Sequence, residues 1–143
     1  MHVSLVLQEK GSDVVTAGPS TPLAEVVATL ADRRIGAVVI IEADRVVGIV
    51  AERDVVRVLA ERGADALRVA AAEVMDREVT TCAPEARVET LMEVMTERRV
   101  RHIPVLEEDR LAGLVSIGDV VKSRISNLEH ETEALHSYIS NPY

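Results

Sequence analysis

Aromatic side chains are almost missing from this chain: of 143 residues none is Phe or Trp, and only Tyr138 and Tyr143 carry a phenol ring. A planar ligand would therefore be gripped by aliphatic side chains and backbone rather than stacked on rings. The same lack, with no basic stripe to track a phosphate backbone, argues against nucleic-acid binding. A lone Cys82 excludes a disulfide framework and any Cys-x-x-Cys metal set. It sits in a turn with no basic group placed to activate it, which suits a plain small residue better than a redox centre. No apolar run approaches the roughly 18 residues of a membrane span, and Met1 to Ser12 has no long apolar stretch of the signal-peptide kind. A soluble, cytoplasmic protein is expected. Catalytic signals are missing as well. There is no phosphate loop, no Ser/His/Asp or Cys/His arrangement and no metal motif, so no catalytic residue is assigned and no enzyme is expected. His130 and His136 stand six apart, a poor spacing for one metal, and read as surface residues.

What the chain does have is a statement made twice. Thr16-Ala-Gly-Pro19 returns sixty-five residues later as Thr81-Cys-Ala-Pro84, and Arg33-Arg34-Ile35 as Arg98-Arg99-Val100. Glu42-Ala-Asp44-Arg45 returns as Glu107-Glu-Asp109-Arg110, Gly48-Ile-Val50 as Gly113-Leu-Val115, and Asp54-Val-Val56 as Asp119-Val-Val121, without a gap. A unit of this size cannot easily bury its own apolar face, so the two copies should pack on each other. Two pseudo-equivalent clefts follow.

Each copy reads as β-α-β-β-α, an α+β fold. Asp13–Thr16 and Glu78–Thr81 predict short strands ending at Pro19 and Pro84. Leu23, Val26, Val27 and Leu30 predict a helix, and Val88, Leu91, Met92 and Met95 repeat its stripe. Both helices end in a double arginine, suited to a helix carboxyl terminus. Ala37–Ile41 with Val46–Val50, and Ile103–Leu106 with Leu111–Val115, predict hairpins with solvated Glu-x-Asp-Arg tips. A second helix starts near Glu52 and near Ser116. Residues 64–75 join the copies and should hold a short helix around Arg68–Met75. The organisation expected is a first repeat at 10–63, that linker, a second repeat at 76–126 and a helical tail at 127–143 that stops before Pro142. The tail carries Val121, Ile125, Leu128, Leu135 and Tyr138 on one side, a stripe suited to its own domain or to a second subunit.

The sharpest local pattern is Gly113-Leu-Val-Ser116-Ile117-Gly118-Asp119, with Gly48-Ile-Val-Ala51-Glu-Arg53-Asp54 as its partner. A helix amino terminus offers unpaired N–H groups to an anionic oxygen. An ionised aspartate there can accept both hydroxyls of a ribose, and Gly118 lets backbone come close to a ligand. The plainer alternative is a capping box, with Ser116 capping and Asp119 reaching back. Ala51 cannot cap through its side chain, yet Asp54 stands at the matching place.

Two such units, each closing on Gly-h-h-(Ser/Thr)-x-x-Asp, resemble a tandem cystathionine-β-synthase (CBS) domain pair, or Bateman module, over about residues 10 to 125. Arg98–Val105 and Val115–Lys122 resemble the short stand-alone bacterial pairs in particular. The resemblance implies a sensor of an adenosine-containing ligand: AMP first, with ADP, ATP, NAD(H) or S-adenosylmethionine as other members of the class, and no cofactor required. It implies clefts built from both repeats, with Ser/Thr and Asp of one repeat on phosphate or ribose and the other repeat around adenine. The expected primary cleft then combines Ser116, Ile117, Gly118 and Asp119 with Thr21, Ile35, Gly36 and Ala37, and with Arg101 and His102 towards phosphate. The second cleft would use Ala51, Arg53 and Asp54 against Val100, His102, Ile103 and Pro104. It lacks two hydroxyls, because Ala51 and Ala86 stand where Ser116 and Thr21 stand in the first, and is expected to bind more weakly. A homodimer and an unidentified protein partner acting in trans are implied, and a ligand-free interaction module is the competing expectation.

Overall fold

The computed structural model describes residues 1–140. The chain opens with a helix, α1 (Val3–Lys10), followed by β1 (Thr16–Ala17), α2 (Leu23–Arg33), β2 (Ala37–Glu42), β3 (Arg45–Ala51) and α3 (Glu52–Arg62). A 3-10 segment (Gly63–Arg68) and α4 (Ala71–Val74) lead to α5 (Val88–Arg98), β4 (His102–Glu107), β5 (Arg110–Ser116) and α6 (Ile117–Ser140). β1 runs parallel to β2 and β2 antiparallel to β3 in one sheet; β4 and β5 form the second, and the hairpins meet through β3 and β5.

The repeat is visible down to single dihedrals. The hairpin tips hold Ala43 and Asp44 at φ of 50° and 63°, and Glu108 and Asp109 at 52° and 63°. Two successive left-handed residues match the twist of the flanking strands, as in a type I′ turn. The register shifts between Ile40 and Ile41 in one hairpin and between Val105 and Leu106 in the other, at the same step. Arg34 and Arg99 close α2 and α5 in the left-handed region, each donating its N–H back into the last turn.

Two corrections concern the strands expected at 13–16 and 78–81. The first lies later and is shorter, at Thr16–Ala17, and the second shrinks to a single parallel bridge between Cys82 and Val105. Both segments cross a sheet edge only briefly before Pro19 and Pro84 turn the chain, so few ladder bonds can form. The hairpins, both paired helices and the linker helix fall where the pattern puts them. α6 runs unbroken from the second repeat into the tail; its expected stop before Pro142 lies outside the described residues.

α1 has no counterpart among the expected elements, and it explains how the halves are completed. Val3 and Val6 are buried with Val88, Leu91, Ile103 and Val115, in the core of the second repeat. The Val3 and Ser4 N–H groups donate to Ala86 and Pro84 carbonyls at 2.8 and 2.9 Å, and Val88 N–H donates to Met1. The segment entering α4 does the same for the first repeat: Ala71 and Ala72 donate to Thr21 and Pro19, and Leu23 donates to Val69. Met1–Leu7 and Val69–Met75 are thus in step, each seated beside a hairpin glycine. A Cβ on Gly113 would stand 2.6 Å from Leu7 Cδ2, and one on Gly48 would overlap the Met75 side chain.

Candidate functional site

Both repeat aspartates lie in the first turn of a helix and both cap it. Asp54, 4% exposed, accepts the Ala51 N–H at 2.9 Å and faces Arg57 at 3.3 Å. Asp119 accepts the Ser116 N–H at 2.8 Å and the Ser116 hydroxyl at 2.9 Å, while its own N–H donates to that hydroxyl at 3.2 Å. The capping box is complete on α6 and half-built on α3, where Ala51 has no oxygen to accept the Asp54 N–H.

Asp119 has a further partner. Lys10, at the end of α1, donates through Nζ to its carboxylate at 2.5 Å and to the Leu114 carbonyl at 2.8 Å. Burial pushes the Asp119 carboxyl up, but the Lys10 ammonium together with the N–H and hydroxyl of Ser116 outweighs it, and the group sits below the usual carboxylate range.

A cavity of about 660 Å³ opens between the repeats on the Asp54 side. Its floor is the start of α3: Ala51, Glu52, Arg53 and Asp54. One wall is Glu78-Val79-Thr80; the other runs from Met95 and Thr96 through Arg99 and Val100 to Arg101 and His102. Ile49, Val56, Val79, Val100 and Ile117 supply its apolar surface, with no ring among them. The volume lies within the range of small-molecule sites. Arg53 spans the seam, donating to the Arg99 carbonyl at 2.6 Å, and Arg98 donates to the Thr80 hydroxyl at 3.3 Å.

Of the residues expected in the primary cleft, Gly36, Arg101, His102 and Ile117 line this cavity, and Thr21, Ile35, Ala37, Ser116, Gly118 and Asp119 do not. Ile35 packs on the first core, and Ala37 is buried opposite Ala51 in the sheet. Gly36 does not clear room for a base edge: a Cβ there would stand 2.9 Å from His102 Cε1, so the space it leaves is taken by the imidazole. Of the second set, Ala51, Arg53, Asp54, Val100 and His102 line the cavity, whereas Ile103 and Pro104 are buried in and beside the second core. Burial pushes the His102 imidazole below its ordinary value, with Lys10 and Arg101 adding to this and Glu52 and Asp119 opposing it. Lys10, Asp76, Glu78, Val79, Thr80 and Thr96 were not anticipated; Glu78–Thr80 could have been found by extending each wall back from its turn towards the preceding strand. Cys82 is half-buried, and desolvation pushes its thiol up to about 11, far from an activated thiolate. Among the described residues no cluster of His, Cys, Asp or Glu could hold a metal, and no helix is long and apolar enough to cross a membrane.

Comparison with known proteins meets this geometry at the level of the repeat. The CBS-domain-containing protein ATU1752 from Agrobacterium tumefaciens is 45% identical in sequence, with a TM-score of 0.84 over 87% of this chain and 99% of that one. The CBS domain protein PAE2072 from Pyrobaculum aerophilum, solved in complex with AMP, is 27% identical with a TM-score of 0.77, over 92% and 99% of the two chains. The mitochondrial CBS domain-containing protein CBSX3 of Arabidopsis thaliana is 32% identical over 124 residues, which are 83% of this chain and 60% of the plant protein. The chain thus spans less than two thirds of that relative. The model of the CBS domain matches twice, at residues 11–61 and 71–126. With both repeats matched and the paired hairpins in place, this chain belongs to the CBS domain family.

Proposed function

We propose that this chain is a non-enzymatic regulatory module that binds an adenosine-containing ligand, AMP foremost, in the cleft at Asp54. The observation that carries this reading is the cavity itself, which joins an aspartate at a helix start, an aliphatic lining and three arginines in one seam. On this reading the Asp54 carboxylate, in the cavity floor, accepts ribose hydroxyls in exchange for its contact with the exposed Arg57. Val79, Val100 and Ile49 suit the faces of a base that finds no aromatic partner. Arg99, Arg101 and Arg53 are the cations within reach of a phosphate, and the half-capped start of α3 adds positive helix-end charge of the same sense. The lining also carries Glu52, Asp54, Asp76 and Glu78, so acids slightly outnumber arginines. That balance favours one phosphate over three. This ordering reverses the expectation that Ser116 and Asp119 form the primary site: a missing hydroxyl at Ala51 leaves helix N–H groups for a ligand instead of removing a contact.

Isothermal titration with AMP and ATP tests the reading. One AMP per chain is expected, with ATP weaker. Asp54→Asn should lower AMP affinity about 10- to 100-fold, the scale of a hydrogen bond to a charged group. Flat heats for both nucleotides would overturn it. In the regulatory role, ligand favours one packing of the repeats by its differential affinity, and a protein partner acting in trans reads that packing. A second copy is a further part of the proposal. The α6 stripe of Ile117, Val121, Ile125, Leu128 and Leu135 is 44–61% exposed, so it does not cover its own domain and suits another subunit. That stripe also favours a second reading, a ligand-free interaction module, in which Asp54 only caps α3.

A further inference from the structure

The two seams of this molecule are built alike and end differently, and one of the differences is the side chain that the in-step segment brings to the helix start. On the Asp54 side the chain leaves α4 at Met75 and turns into a two-way bridge, Asp76 N–H to Ile49 O at 2.9 Å and Ile49 N–H to Asp76 O at 3.1 Å. That turn carries the following residues along the cavity wall. On the Asp119 side the in-step segment stays helical past Leu7, and α1 ends only at Lys10. Leu7 is held against Gly113, and this contact aims the last turn of α1 at the start of α6. Lys10 therefore reaches both the Leu114 carbonyl and the Asp119 carboxylate. Counting in step from Val3 and Ala71, the residue matching Lys10 is Glu78, a carboxylate that cannot pair with Asp54 and lines the open cavity.

We propose that Lys10 acts as a built-in occupant of the Asp119 cleft, holding the carboxylate that would otherwise accept a ligand, so that one lysine decides which of two pseudo-equivalent clefts binds. The inference rests on the nucleotide reading of the Asp54 cleft and goes beyond it, because it assigns a cause to the asymmetry. Ser116 and Asp119 keep the full pattern of a ligand cleft, yet Lys10 Nζ and the N–H and hydroxyl of Ser116 all converge on Asp119 Oδ2, so an incoming hydroxyl must displace the ammonium from that oxygen or settle for Oδ1 beside it. Val3 and Val6 anchor α1 independently of the lysine, so removing the ammonium leaves the helix seated.

The test is AMP titration of the intact chain and of Lys10→Met, each alone and combined with Asp54→Asn or Asp119→Asn, with Asp119 followed by carboxyl NMR against pH. The expected results are one site per chain in the unaltered protein, weakened about 10- to 100-fold in Asp54→Asn and unchanged in Asp119→Asn. Lys10→Met should show two sites, the added one lost with Asp119→Asn, and the Asp119 titration should move upward. A folded Lys10→Met protein that still binds one AMP overturns the inference while leaving the nucleotide reading intact. So does a single site that depends on Asp119 in the unaltered chain, or an Asp119 titration indifferent to Lys10. No AMP in any variant ends both.

Discussion

Ala51 and Ser116 differ by one oxygen, and the two helix starts behind them differ accordingly: α6 has both halves of its capping box, while α3, at the floor of the cavity, has only the half that Asp54 supplies. His102 is the other residue that matters singly, since it stands in the seam with its ring against Gly36. Burial favours its neutral form, so the folded protein takes up a proton at lower pH than the unfolded chain, whose imidazole has the ordinary value of 6.5. The unfolded state then binds more protons as pH falls below about 6.5, and stability declines in that window. Asp119 acts in the same sense at more acid pH: its depressed carboxyl stabilises above the ordinary carboxylate range and that contribution is lost as pH falls through the folded value. Thermal melts between pH 7.5 and 5.5 should show Tm falling with pH, and His102→Gln should flatten that slope. An identical slope in the variant would mean that another group titrates.

Among the elements, α1 carries the most testable burden. Val3 is fully buried in the second repeat's core, and Val3→Ala should cost about 2 kcal/mol, two methyl groups plus the space they leave, read as a shift in urea midpoint. A shift near zero would mean that α1 is not seated in solution. This helix was also the element least legible beforehand. The hairpins, α2, α5 and the starts of α3 and α6 announce themselves through local period and through being written twice. The eight residues of α1 hold too little pattern to declare a helix, and their apolar partners lie more than eighty residues away. The Lys10–Asp119 pair was illegible for the same reason. Counting hydroxyls at Ser116 and Thr21 takes no account of it, because Lys10 reaches the start of α6 only through the path of α1. Both aspartates were readable because the repeat itself marks them, whereas Arg53, Val100, Arg101 and His102, which line the cavity, were named through the family resemblance.

At the scale of the whole molecule, the uncovered face of α6 asks for a partner. Light scattering after gel filtration should report twice the 15.5 kDa of one chain, and Ile125→Glu should return it to 15.5 kDa with the fold retained. A monomer in the unaltered protein would overturn the dimer. Inside one chain, the halves are tied by exchange: the helix that finishes the second repeat precedes both repeats, and the helix that finishes the first repeat lies between them. During synthesis α1 must therefore wait. Val3 and Val6 have nowhere to hide until Val88 and the strands beyond it have left the ribosome, so the nascent chain carries them bare until then. The front half, whose own missing piece arrives by Met75, can close long before that, and it offers the growing protein an early platform on which the latecomer assembles.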